Sequence, residues 1–126
     1  MANWTPTGLV GEMFKTNAKH VPPPPGVNPP LLWGTEERIR ELFGDGISDL
    51  RAERRISVQR FRSVDHWLEI FRTYFGPTKV AFERVGADGE AALEADLREL
   101  LERGNRAGEQ ALVLESEYLE VIATRA

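Results

Sequence analysis

The chain contains no cysteine. Disulfides, thiolate metal centres and cysteine nucleophiles are therefore excluded. The composition fits a reducing compartment, and a cytoplasmic location is the expectation. Histidine is nearly as scarce: His20 and His66 are the only two, and they lie far apart with no metal-ligand spacing. No apolar run approaches the ~20 residues that cross a bilayer, and no charged-then-apolar signal segment opens the chain. Positive charge is not in excess either. A net charge of −4 argues against generic nucleic-acid affinity. The chain also lacks a G-x-G-x-x-G turn, a Walker motif, a G-x-S-x-G elbow and any internal repeat. No self-contained active site is legible.

What is present fits one domain spanning residues 1–126, enough to bury roughly two thirds of its unfolded surface. Met1 to Thr5 reads as a short buried strand stopped by Pro6, which cannot continue a ladder. A buried strand so early in the chain implies a missing upstream neighbour. Thr7 is placed to cap a helix carrying Leu9, Val10, Met13 and Phe14 on one face, with Lys19 and His20 at its cation-favouring end. Pro22–Pro25 and Pro29-Pro30 predict an extended segment, read either as a stiff connector or as the mouth of a ligand site. Thr35 is the expected cap of a second helix with Ile39, Leu42 and Phe43 on its apolar face, ended by Gly44.

Residues 50–62 alternate as a strand but carry Arg51, Arg54, Arg55, Arg60 and Arg62. Such charge suits an edge strand, where it discourages stray pairing. A phosphate-binding patch is the sharper alternative. Ser63 caps a strongly amphipathic helix of Val64, Trp67, Leu68, Phe71 and Phe75. A short helix from Thr78 and a long one from Asp88 follow, the latter with Leu93, Leu97, Leu100 and Leu101 as its core face. Residues 116–126 form the clearest strand. Leu119, Val121 and Ala123 point one way and Tyr118, Ile122 and Thr124 the other, so the strand is expected at the centre of the sheet with layers on both sides.

Several segments in this order resemble a known family. They are Ala-Asn-Trp-Thr-Pro (2–6), Gly8-Leu9-Val10-Gly11, Met13-Phe14, Val21 to Gly26, Pro30 to Glu36, Tyr74 to Thr78 and Glu117 to Arg125. Together they resemble the C-terminal half of class I S-adenosylmethionine-dependent methyltransferases of the ubiquinone-biosynthesis type, which act on small molecules. The resemblance implies a partial Rossmann-like α/β fold of about three strands and about five helices. The strand order would be first-last-middle, with the last strand antiparallel. The family's donor-binding parts, a glycine-rich turn and an acidic ribose ligand, have no counterpart here.

The resemblance therefore implies an acceptor-side portion, inactive alone, with S-adenosylmethionine as the cofactor of a complete enzyme and not of this chain. No catalytic, cofactor-binding or metal-binding residue is assigned. Trp4, Phe14, Trp33 and Tyr74 are the candidate lining of an acceptor pocket, although aromatic residues at such positions also serve simply as core. Two other readings stand beside this one. The chain is a non-catalytic module for a small ligand or for dimerisation, or it is a subunit completing an active site with a separate donor-binding chain. The unguarded first strand further suggests a homodimer through that strand or its neighbouring helix.

Overall fold

The computed structural model describes residues Met1–Ala126. Its three strands are β1 (Ala2–Trp4), β2 (Ile47–Phe61) and β3 (Leu112–Arg125). They form one sheet in the order β1-β3-β2, with β3 antiparallel to both neighbours. That is the expected first-last-middle order. The helices are α1 (Leu9–His20), α2 (Glu36–Phe43), α3 (Val64–Tyr74) and α4 (Gly76–Gly104). Four α-helices thus stand where five were expected. The two expected from Thr78 and Asp88 are arms of α4, broken at Gly86, whose φ of 65° is open to glycine at no steric cost.

The caps differ from the expectation in detail. Ser63 does cap α3, its Oγ accepting from the amide of His66 at 3.1 Å. Gly8, not Thr7, is the N-cap of α1. The Thr35 hydroxyl turns back to donate to the carbonyl of Leu32 at 2.7 Å and caps nothing ahead of it. The proline segment is also not extended throughout. Pro30 opens a 3-10 turn that runs to Gly34, a position where a missing N–H costs nothing.

In β3 the buried residues change parity along the strand. Leu112, Leu114 and Ser116 are buried on one face, and Leu119 and Val121 on the other. Each face is therefore covered along only half of its length. Val10, Met13, Trp67, Leu97 and Leu101 of the helices cover Leu112 and Leu114 in the main core. On the opposite face, Ile39 of α2 sits with Leu50, Leu119 and Val121 in a second, smaller core. The expectation of two covering layers holds for the strand as a whole, but Ile122 is 51 % exposed. The arginines of β2 lie on the outer strand and are exposed, as an edge requires.

Candidate functional site

Four of the segments that carry the family resemblance, residues 2–6, 8–11, 30–36 and 117–125, meet at one corner, the carboxyl end of β1. There the amide of Thr5 donates to the carbonyl of Glu117 at 3.2 Å, extending the β1–β3 ladder by one bond. Pro6 then turns the chain away. The Thr5 hydroxyl donates to Glu117 Oε1 at 2.8 Å and accepts from the amide of Gly8 at 3.1 Å, tying the turn into α1. Thr7 donates to the same carboxylate oxygen at 3.2 Å. Arg54 of β2 stands 3.6 Å from it. Glu117 is thus a clamp joining β1, β2 and the start of α1.

Two glycines let backbone close on backbone here. A Cβ on Gly34 would overlap the carbonyl oxygen of Trp4, and one on Gly11 would overlap that of Pro6. The same approach of Gly34 covers the outer edge of β1 at Trp4, so the edge expected to be bare is partly shielded. Beside this corner lies a cleft of about 320 Å³ whose walls include Thr5, Thr7, Thr35, Glu36 and Arg54. Hydroxyls, carboxylates and one guanidinium make it a polar cleft, suited to holding a hydrogen-bonding molecule.

The four aromatic candidates are not gathered round one cavity. Trp4 is half-buried and meets Tyr118 edge-on at 6.2 Å. Both line an open depression of about 510 Å³ on the sheet. Phe14 packs edge-on against Phe75 at 6.4 Å. It also lines a separate apolar groove of about 360 Å³ between α1 and the proline segment. Trp33 and Tyr74 are exposed, Tyr74 by 81 %, and neither lines any of these three cavities.

The arginines expected as a charged edge are partly engaged. Arg55 bonds Glu120 at 3.0 Å and Glu53 at 2.9 Å, and the Glu120 contact holds its guanidinium above the usual arginine range. Arg98 is held up in the same way, first by Asp65 and then by Glu94. At the end of α1, Lys19 Nζ and His20 Nε2 both reach Asp96 Oδ2, at 2.8 and 2.7 Å. These contacts hold the Asp96 carboxyl below the usual carboxylate range, with the Lys19 hydrogen bond the larger cause. His66 serves its own helix start, its Nδ1 accepting from the amide of Arg62 at 3.2 Å. No group of three or more histidines or carboxylates is arranged to hold a metal ion.

Two structural features lie at or beyond the margin of the sequence pattern. Glu117 reads only as part of a strand, and nothing in its local pattern reveals a partner more than a hundred residues away. Asn17 did carry a signal. It stands four residues after Met13 and seven after Val10, on the buried face of α1, and a polar residue at an apolar helical position invites explanation.

No family model matches the chain. It is 33 % identical over 102 residues to the uncharacterized protein Rv1403c of Mycobacterium tuberculosis, covering 78 % of this chain and 37 % of that protein. It is 32 % identical over 125 residues to the uncharacterized protein Rv1405c of the same organism, covering 98 % of this chain and 45 % of that one. The uncharacterized protein Mb1440c of Mycobacterium bovis matches to the same extent as Rv1405c. The chain spans less than half the length of the curated relatives it matches.

Proposed function

We propose that the chain is the acceptor-side portion of an S-adenosylmethionine-dependent methyltransferase acting on a small molecule, without transfer activity of its own. The observation that supports this reading is the convergence at the β1 corner. Thr5, Pro6, Gly34, Thr35, Glu36 and Leu119, from three separate family-like segments, line one polar cleft, and Gly8 of a fourth is bonded to Thr5 beside it. In open α/β sheets, ligands bind outside the carboxyl ends of strands, and the cleft lies at that end of β1. Bound donor supplies the methyl group. The residues of this chain bind and orient the acceptor and exclude water, with Glu117 fixing the walls through Thr5, Thr7 and Arg54.

Isothermal titration calorimetry of S-adenosylmethionine tests the proposal. The chain alone is expected to give no saturable heat, because it carries neither the glycine turn nor the ribose carboxylate of the family. The full-length relative Rv1405c is expected to bind. A low micromolar dissociation constant for the chain alone overturns the assignment of this portion. An absence of binding in both proteins removes the methyltransferase reading and favours the non-catalytic module.

A further inference from the structure

The sheet has one long open edge. β2 runs for 15 residues at the outside of the sheet, with β3 as its only strand neighbour. Strands usually stop after about five or six residues. Edges are normally guarded by short length, a bulge, a proline or charge. Over residues 49–61 the register with β3 is unbroken and no proline occurs, so charge is the guard that remains. Alternate residues along this stretch direct backbone N–H and C=O groups away from β3.

That charge is of one sign. Residues 54–62 include four arginines and no carboxylate, in a chain of net charge −4. Arg55 is engaged by Glu120 and Glu53, and Arg54 stands 3.6 Å from Glu117. Arg60 and Arg62 take part in no ion pair. Arg54, Ile56, Val58 and Arg60 alternate onto one face of the strand. Ile56 and Val58 are 54 % and 44 % exposed. An exposed apolar pair thus lies between two arginines, beside an open backbone edge.

Charge decides which strand can pair there. Like charges directly opposite each other destabilise a strand pair, and opposite charges stabilise it. A second copy is therefore disfavoured. No register that sets residues 54–62 against themselves brings a carboxylate to an arginine, and the antiparallel one that matches Ile56 with Val58 sets Arg54 against Arg60 at both ends. We propose that the outer edge of β2 binds an extended, acidic segment of a partner chain, which joins the sheet as a fourth strand. Its apolar residues lie beside Ile56 and Val58, and its carboxylates beside Arg54 and Arg60. Main-chain bonds supply the affinity and alternate side chains the selection. The inference stands apart from the methyltransferase reading and does not need it.

The test is an amide NMR titration of the chain with the end-blocked peptide Glu-Thr-Val-Thr-Val-Thr-Glu. One control replaces both glutamates by lysine. A second is the acidic peptide N-methylated throughout, which keeps its charges but donates no main-chain bond. The acidic peptide is expected to give saturable shifts along residues 54–61 and to bind about 10-fold more tightly than the lysine peptide. The N-methylated peptide is expected not to bind. Arg60→Glu, at an exposed position, is expected to weaken the acidic peptide about 5-fold and to strengthen the lysine peptide. If Arg60→Glu fails to fold, the three peptides on the unaltered chain decide the matter. Equal affinity for the acidic and lysine peptides, binding of the N-methylated peptide, unchanged affinities in a folded Arg60→Glu, or no saturable shift overturns the proposal. Shifts of the same amides on diluting the chain alone overturn it in favour of a second copy. Tighter binding of oligothymidylate than of the acidic peptide overturns it in favour of phosphate.

Discussion

The half-covered sheet makes a sharp prediction about two residues three positions apart on β3. Leu119 is 5 % exposed and completes the small core with Ile39, Leu50 and Val121. Leu119→Ala removes three buried carbons and leaves a cavity under α2. Comparable truncations cost about 2–5 kcal/mol, and a core of four residues near the surface collapses easily, so about 2–3 kcal/mol is expected. Ile122 faces the other side and is 51 % exposed. Its truncation removes a similar volume, but with half of it already in water the transfer loss is about 1 kcal/mol.

Urea unfolding measures the difference directly. The midpoint of Leu119→Ala should drop at least twice as far as that of Ile122→Ala, with unchanged slopes. An Ile122→Ala variant as costly as Leu119→Ala would refute the reasoning, because it would mean that this half-face is covered in solution. A midpoint rising with protein concentration would then assign the cover to a second copy, the homodimer through the first strand that the sequence suggests.

Two further tests address the corner and the end of α1. Gly34→Ala drives a Cβ into the backbone of Trp4 and should cost about 3 kcal/mol in thermal unfolding. Gly46→Ala, which meets nothing within 4 Å, should change stability by under about 0.5 kcal/mol; equal effects would mean that the β1 corner is not closely packed. The Asp96 carboxyl is depressed by Lys19 and His20. Its contribution is therefore complete above the unfolded aspartate value of about 3.9 and is lost as pH falls through the lower folded value. Thermal midpoints should accordingly separate wild type from Asp96→Asn above about pH 4 and converge below it. A gap that persists in strong acid would show that the ion pairs do not carry it.

The central place of β3 and the edge position of the arginine-rich strand were legible because each rests on local composition, whereas the full strand order rested on the family resemblance. Alternation with small and apolar residues marks β3 as central, and charge marks β2 as an edge. The helical faces were legible for the same reason, and Trp67, Leu93 and Leu97 lie where their period puts them. Distant partners were not. Thr7 looks like a cap from its neighbours, yet Glu117 takes its hydroxyl. Arg106 completes an i, i+4 pair with Glu102 on paper, but α4 ends at Gly104 and Arg106 stands 3.7 Å from Glu115 instead. Only residue type near one strand end groups Trp4, Phe14, Trp33 and Tyr74 in the sequence. Type alone does not say which ring faces which cavity. The apolar period of β3 likewise could not disclose that its two faces are covered at opposite ends, because α2 and the larger helical layer are joined to it through distant turns.

The break at Gly86 has a consequence of scale. An unbroken helix of 29 residues would extend about 43 Å at 1.5 Å per residue. A body of 126 residues has a radius of gyration near 14 Å and is roughly 36 Å across. A straight rod would overshoot the molecule and carry part of its leucine face into water. With the chain turned at Gly86, Ala81 and Phe82 from one arm join Leu93, Leu97, Leu100 and Leu101 from the other in the same core. One residue with no side chain thus sets the length limit of the helical layer, and any Cβ at that position pushes the two arms toward a rod longer than the sheet end it must cover.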